Sequence, residues 1–359
     1  MNALHQFFCV VANGLEQAVS MELDSLGLPA FPSTGGVYTK VSNLSVAELT
    51  KLRTPTAIRW QLINGRAVRS LSDFRKLLDS VDWSVFPDNA NVRLQVRTRK
   101  SKLNRSDVLE EKANRILRAI LGKPREGAPT LPVLIRLFEN RLWVSVALHD
   151  RPLHQRGWRQ SNVKTPIREN WAQCLHWLAE CKPTDAILDP FCGSGTMLIE
   201  AGMRFANHEI FKESPWVFDS WGVEWTKERF ESSREPLKLF GADRDEPSVQ
   251  KTLHNATVAN IKVGAVVCDV RNLTPDDFDG CPEKGVILCN PPYGMGSGNR
   301  TDAVYHWLGE THRNQFPQWR LYFIATDSRK ARLVSPKSQS VAQFSNAGIP
   351  VTFYRINYV

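Results

Sequence analysis

Beyond Ile167 the chain repeats one rhythm, a short apolar run followed by a turn and a stretch with helical spacing. AILDP, KLFGAD, AVVCDV, GVILCN and RLYFIATD are the apolar runs, and RENWAQCLHWLAEC and FCGSGTMLIEAGMRFA are two of the helical stretches. Strands that alternate with helices are joined by crossovers, so the rhythm predicts an α/β unit with a mostly parallel sheet covered on both faces. The last stretch, SVAQFSNAGIPVTFYRINYV, predicts an antiparallel hairpin that completes seven strands. In such a sheet, ligands bind at the carboxyl ends of the strands, so those ends hold the first candidate residues.

The earliest of them is Asp189-Pro190-Phe191-Cys192-Gly193-Ser194-Gly195-Thr196. A glycine loop after a strand lets a ligand lie against backbone without Cβ interference. A dinucleotide fingerprint would need a third glycine where Leu198 stands, and an acid precedes the loop where a pyrophosphate would be repelled. No Gly-Lys-Ser/Thr follows, which excludes a P-loop. The pattern suits a ligand with a cationic amino group and a sulfonium, S-adenosylmethionine. Asp243, in Gly241-Ala242-Asp243, is expected to accept from both ribose hydroxyls, and Asp269 from the adenine amine. The segment SPWVFDSWGVEWTKERFE fills the long gap between Asp189 and Asp243. It is expected to be a helical insert, with Trp216, Trp221 and Trp225 as its own core.

Asn290-Pro291-Pro292-Tyr293-Gly294 closes the strand GVILCN. A residue before proline is held out of the α region, and consecutive prolines stiffen the turn. The Asn290 side-chain oxygen and the Pro291 carbonyl can accept the two hydrogens of an exocyclic amine. Pro292 holds the turn, and Tyr293 is expected to offer a stacking face to a base taken out of its helix. Cys192 and Cys289 are expected to line the site without reacting.

The first half of the chain differs in charge. Residues before Thr165 carry 25 Lys and Arg against 14 Asp and Glu, a net of +11, whereas the remainder is −2, which together give the +9 of the whole chain. Residues 91–125 alone hold 11 basic and 3 acidic side chains. There Val92, Leu94 and Val96 alternate with Arg93, Gln95 and Arg97, the period of a strand with one buried and one basic face. Arg99, Lys100, Lys102 and Arg105 crowd the following loop. Ser106 can cap a helix whose stripe is Leu109, Ala113, Ile116, Leu117 and Ile120, closed by Gly122. LPVLIRLF and RLWVSVAL then predict a hairpin turning at Glu139-Asn140. A basic face of this kind suits phosphates. Arg156 and Arg159, in the polar stretch DRPLHQRGWRQSNVKTP, are expected to extend it.

Seven cysteines with no C-x-x-C pair argue against a disulfide framework or a zinc site, and for a reducing cytoplasm. No apolar run reaches the ~18 residues of a membrane span. A monomer without metal is expected.

These motifs together resemble the THUMP-containing RNA guanine-N2 methyltransferases. The residues that carry the resemblance are Asp189–Thr196 with Glu200, Gly241–Asp243, Asn290–Gly294, the connecting Leu153–Arg159, and Ile167–Asn170. The resemblance implies a ferredoxin-like subdomain over 1–60, a THUMP RNA-binding domain over 61–150 and a linker over 151–165. A Rossmann-like S-adenosylmethionine-dependent domain would follow over 166–359. It implies cofactor contacts from Asp189, Phe191, Gly193, Gly195, Thr196, Asp243, Asp269 and Asn290, with the target guanine presented to Asn290–Tyr293. RNA contacts would come from Arg97, Arg99, Lys100, Lys102, Arg105, Arg156 and Arg159. The tryptophan-bearing insert and Arg313–Trp319 look most like the enzyme acting on 23S ribosomal RNA, which in some members is fused to a second methyltransferase. Transfer RNA is the alternative substrate, and a non-catalytic RNA-binding or assembly factor is the rival from another class.

Overall fold

Apolar runs and helical stretches assemble into two seven-stranded sheets in the computed structural model, which describes residues 4–42, 46–160, 166–211, 216–220, 237–293 and 298–356. The chain separates into two units. One comprises Met1–Val11, Leu23–Leu153 and Phe211–Glu228; the other comprises Ala12–Glu22, His154–Ile210 and Arg229–Val359.

The first sheet is made from β1 (Leu4–Val10), β2 (Phe31–Ser33), β3 (Gly36–Ser42), β4 (Ala57–Ala67), β5 (Asn91–Arg99), β6 (Thr130–Phe138) and β7 (Arg141–Ala147). Its order is β2-β3-β1-β4-β7-β6-β5, so strands from both sides of residue 60 share one sheet, and β4 itself crosses that position. Helices α1 (Glu16–Ser25), α2 (Val46–Leu49), α3 (Leu71–Asp79) and α4 (Ser106–Leu121) intervene. β5 and β6 run parallel, which requires a crossover, and α4 supplies it. Glu139 and Asn140 turn the β6–β7 hairpin with φ of 50° and 59°, the left-handed pair that a two-residue hairpin needs.

Two details of α4 differ from the pattern. Arg105 rather than Ser106 occupies the N-cap and makes no side-chain capping bond. The buried stripe is Leu109, Ala113, Leu117 and Leu121, while Ile120 is 43% exposed. The buried positions recur every fourth residue, a row that drifts about 40° per step around a 3.6-residue helix, so by the last turn the covered face has wound away from Ile120 and onto Leu121.

The second sheet uses β8 (Ile187–Asp189), β9 (Leu239–Asp243), β10 (Gly264–Val267), β11 (Val286–Cys289), β12 (Arg320–Ala325), β13 (Ser338–Asn346) and β14 (Ile349–Ile356). Its helices are α5 (Glu169–Leu178), α6 (Thr196–Phe205), α7 (Glu246–Ala259), α8 (Gly298–Gln315) and α9 (Ser328–Val334). The order is β10-β9-β8-β11-β12-β14-β13. Pairing is parallel from β10 through β12 and antiparallel for β14 and β13, as the hairpin-ended alternation predicts. The strand order reverses at β8, whose neighbours β9 and β11 lead away in opposite directions, so the carboxyl ends of β8 and β11 border the natural crevice.

Strands covered on both faces read as unbroken apolar runs, and all residues of β8 and β11 are buried. Leu188, Phe240, Ile287, Tyr305, Phe316 and Phe323 belong to one core cluster, each worth about 1.5–3 kcal/mol of burial. α5 departs from a simple amphipathic pattern, because nine of its ten residues are buried, Glu169 and Gln173 among them. Those two are tolerated because each meets a partner: Arg159 Nε donates to Glu169 Oε1 at 2.9 Å, and Gln173 Nε2 donates to Glu200 Oε2 at 3.0 Å. No described helix is long and apolar enough to cross a membrane.

Gly309 lets α8 approach α9, since a Cβ there would run into the Val334 carbonyl. Gly309→Ala is expected to cost roughly 1–3 kcal/mol through overpacking. A urea titration reads this as a lower midpoint; an unchanged midpoint would contradict the close α8–α9 packing.

Candidate active site

The glycine loop leaves the end of β8 and enters α6 within seven residues. Gly193 and Gly195 take φ of 55° and 82°, left-handed values that a side chain opposes. A Cβ on Gly195 would also come within 3.0 Å of Thr252 Cγ2. The loop is tied down from several directions. Cys192 N donates to Ala242 O at 3.0 Å, and Gly193 N to Asp243 Oδ2 at 3.1 Å. From α7, Thr252 Oγ1 donates to Gly193 O at 3.1 Å and Asn255 Nδ2 to Ser194 O at 3.0 Å.

Arg159 holds the same loop. Its guanidinium donates to Ser194 Oγ at 3.2 Å, Thr196 Oγ1 at 3.0 Å, Ile167 O at 3.0 Å and Glu169 Oε1 at 2.9 Å. Arg156 lies deeper, its side chain fully buried against an equally buried Glu200 with Nε 3.4 Å from Oε1. Trp158 Nε1 reaches the same oxygen at 3.0 Å. The expectation that Arg156 and Arg159 extend a phosphate-binding surface is therefore corrected. Arg156 and Arg159, from the stretch that read as a polar linker, belong to this unit, where they meet buried carboxylates and loop hydroxyls.

A cleft of ≈ 560 Å³ opens beside the loop, a volume suited to a small molecule. It is lined by Asp189, Phe191, Gly193, Thr196, Asp243, Asp269, Asn290, Pro291 and Pro292, so most of the residues singled out by motif meet in one place. Gly195 is not part of the lining and acts as the left-handed N-cap of α6.

The three acids differ in kind. Asp243 accepts from Gly193 N on one oxygen and from Asp245 N at 3.0 Å on the other, which leaves each oxygen one further lone pair. Burial raises its pKa. Asp269 sits two residues beyond β10 and is held by Arg271, whose Nε reaches Oδ1 at 3.0 Å and Nη2 reaches Oδ2 at 3.1 Å. That pairing draws its pKa down and spares a lone pair on Oδ2. Asp189 is 2% exposed, and its Oδ1 accepts from Phe191 N at 3.0 Å. Burial, opposed by that hydrogen bond and reinforced by the Asp243 charge, pushes its pKa up to about 8.

Asn290 follows β11, and its Oδ1 is buried without a hydrogen-bond donor among the described residues. Leaving an acceptor so placed costs about 1–3 kcal/mol, a cost that a donor on a ligand in the adjoining cleft would relieve. Tyr293 differs from expectation. It is 7% exposed, its hydroxyl accepts from Asn346 Nδ2, and it does not line the cleft. Its ring is packed inward, where β13 supplies a polar partner, and is not presented for stacking.

Cys192 lines the cleft, whereas Cys289 lies in the core beneath it; burial raises both thiols well above their ordinary range, so neither is poised as a nucleophile. Trp216 packs edge-on against Phe211 and His149, residues outside the insert, so its ring is not held by the insert's own core as expected. Trp221, Trp225 and Gly294 lie outside the described residues. Motif reading missed Thr252 and Asn255; their three-residue spacing on one face of α7 was the available signal.

Comparison with known proteins places this geometry. YpsC of Bacillus subtilis, described as a candidate RNA methyltransferase, is 25% identical over 95% of this chain and 93% of its own. The ribosomal RNA large subunit methyltransferase K/L of Shewanella amazonensis is 26% identical over 98% of this chain, which spans 52% of that protein. Among solved structures, SMU.472, described as a candidate methyltransferase and complexed with SAH, superposes with a TM-score of 0.83 over the whole of both chains at 22% identity. That likeness shows a shared α/β methyltransferase fold. Residues 156–354, which hold the loop, the strand-end acids and Asn290, match the family described as UPF0020, RMKL-like methyltransferase domain, and the chain belongs to that family.

Proposed function

We propose that this chain is an S-adenosylmethionine-dependent RNA methyltransferase that modifies the exocyclic N2 amine of a guanosine in 23S ribosomal RNA. The observation that carries the reading is the orphaned Asn290 oxygen, set in the same cleft as three strand-end carboxylates. The cleft suits the cofactor residue by residue. Asp243 keeps one acceptor site per oxygen for two ribose hydroxyls, Asp269 keeps one for the adenine amine, and Gly193 lets the ligand approach the loop without a Cβ in the way. Asp189 would face the cationic end of the ligand, which favours ionisation of a carboxyl that burial otherwise keeps protonated. The likeness to YpsC and to the K/L enzyme supports RNA as the substrate. In this reading the THUMP-like part that holds RNA and its ferredoxin-like companion share the first sheet without a break at residue 60, and the catalytic unit starts at His154, ahead of residue 166.

When bound, S-adenosylmethionine supplies the methyl group that goes to the guanine nitrogen. The protein orients and stabilises. Asn290 Oδ1 and the Pro291 carbonyl accept the two amine hydrogens and aim the nitrogen lone pair along the cleft. As that nitrogen becomes tetrahedral and positive, both acceptors bind it more strongly than in the ground state. Pro292 keeps the turn stiff, and the proton leaves to solvent after transfer.

Transfer of labelled methyl to unmodified ribosomal and transfer RNA, followed by mapping of the modified nucleotide, tests the substrate. Label is expected on a guanosine of 23S RNA, and label on transfer RNA alone would overturn that choice. Asn290→Ala is expected to lower turnover at least 100-fold while leaving cofactor affinity within about 3-fold, as loss of transition-state acceptors predicts; full turnover would remove Asn290 from the chemistry.

Asp189 gives a pH-dependent test. Its folded pKa of about 8 exceeds the ordinary 3.8, so between these values the unfolded chain gives up a proton that the folded chain retains. Ionisation therefore destabilises the free protein increasingly from about pH 4 to pH 8. Asp189→Asn should be more stable than wild type by ~1–3 kcal/mol at pH 7.5, less so at pH 5, and should bind cofactor at least 10-fold more weakly. Urea titrations at the two pH values check the first part; equal gaps at both would contradict a buried, protonated Asp189.

A further inference from the structure

The seven strands of the first sheet contain no Asp or Glu, yet they carry seven arginines and a lysine. Side chains alternate across a strand, so the register fixes which face each occupies. Val133, Ile135, Val144 and Val146 are fully or almost fully buried on one face. On the other, Arg97 opposes Arg136, Arg136 opposes Trp143, and Arg93 stands four residues before Arg97 on the same strand. Arg93, Arg97 and Arg136 are exposed. They border an open cleft of ≈ 800 Å³, with Arg59 on its floor.

Among the described residues, none of these four guanidiniums forms an ion pair with a carboxylate. Arg59 Nη1 is buried and has no acceptor among the described residues, and burial, with Arg97 and Arg93 nearby, pulls its guanidinium down to about 10. Glu110 and Asp150 are the acids on the cleft wall. Arg93 donates to the backbone carbonyl of Asp150, and the Asp150 carboxylate lies 3.3 Å from His149 Nδ1. The loop at the end of β5 is different. Arg105 pairs with Asp107 at 2.7 Å and Lys100 with Glu139 at 3.8 Å, so two of the cations expected there already have carboxylate partners.

The spacing argues for a polymer over a single anion. Arg97 and Arg136 are on neighbouring strands about 5 Å apart, and Arg93 lies about 13 Å along from Arg97. Guanidinium forks over such a span match successive phosphates. We propose that the open, arginine-lined face of the first sheet, and not the adjacent loop, receives the phosphate backbone of the RNA. The assignment rests on RNA being the substrate.

Two triple variants of the full chain separate the possibilities, with labelled large-subunit RNA as the probe in filter binding at several salt concentrations. Arg93→Gln, Arg97→Gln and Arg136→Gln together should weaken binding at least 10-fold and reduce the slope of log Kd on log salt by about three. Lys100→Gln, Lys102→Gln and Arg105→Gln remove the same charge and should change affinity less than 3-fold. Both variants should keep the circular dichroism spectrum and the cofactor affinity of wild type. If the face variant binds as wild type does, or the loop variant loses as much, the face assignment falls and the RNA reading stands. If wild type shows no salt-dependent RNA binding, both fall together.

Discussion

A glycine loop has no stiffness of its own, and everything in the catalytic unit depends on the bonds that give this one a shape. Left-handed glycines at 193 and 195 make the turn available, and the surrounding elements make it obligatory. β9 fixes the loop through the Ala242 carbonyl and the Asp243 carboxylate, α7 through Thr252 and Asn255, and the segment before α5 through Arg159. Asp243 thus has two duties. One hydrogen bond holds the loop, and the remaining lone pairs face the cleft. Preorganisation of this kind removes an ordering cost that a ligand would otherwise bear on binding.

Charge is distributed by task. The cleft at the carboxyl edge of the second sheet gathers acids of graded character: Asp189 held protonated by burial, Asp243 raised less, Asp269 kept ionised by Arg271. The first sheet gathers arginines and no acids on its strands. A net charge of +9 is the small remainder of these opposed populations and is by itself a poor guide to either.

The architecture was legible because its signals are periodic. Apolar runs of strand length between helical stretches predicted the parallel sheet, and alternation at 92–97 placed Arg93 and Arg97 on one face. Strand-end acids and Asn290 were legible because position at a carboxyl edge follows from the chain order. What stayed hidden depends on contacts between distant segments. DRPLHQRGWRQ reads as a solvated linker, since nothing local shows that Glu200, Glu169 and the loop hydroxyls await its arginines. Tyr293 reads as an exposed ring, since its partner Asn346 is 53 residues away. The matching of face arginines across β5 and β6 needs a register that composition does not carry.

The central claim, that the cleft beside the glycine loop holds S-adenosylmethionine through Asp243, is tested most directly by calorimetric titration of the cofactor into wild type and Asp243→Ala. One site per chain in wild type, weakened at least 10-fold in the variant, is the predicted result. Equal affinity in the two proteins would contradict it.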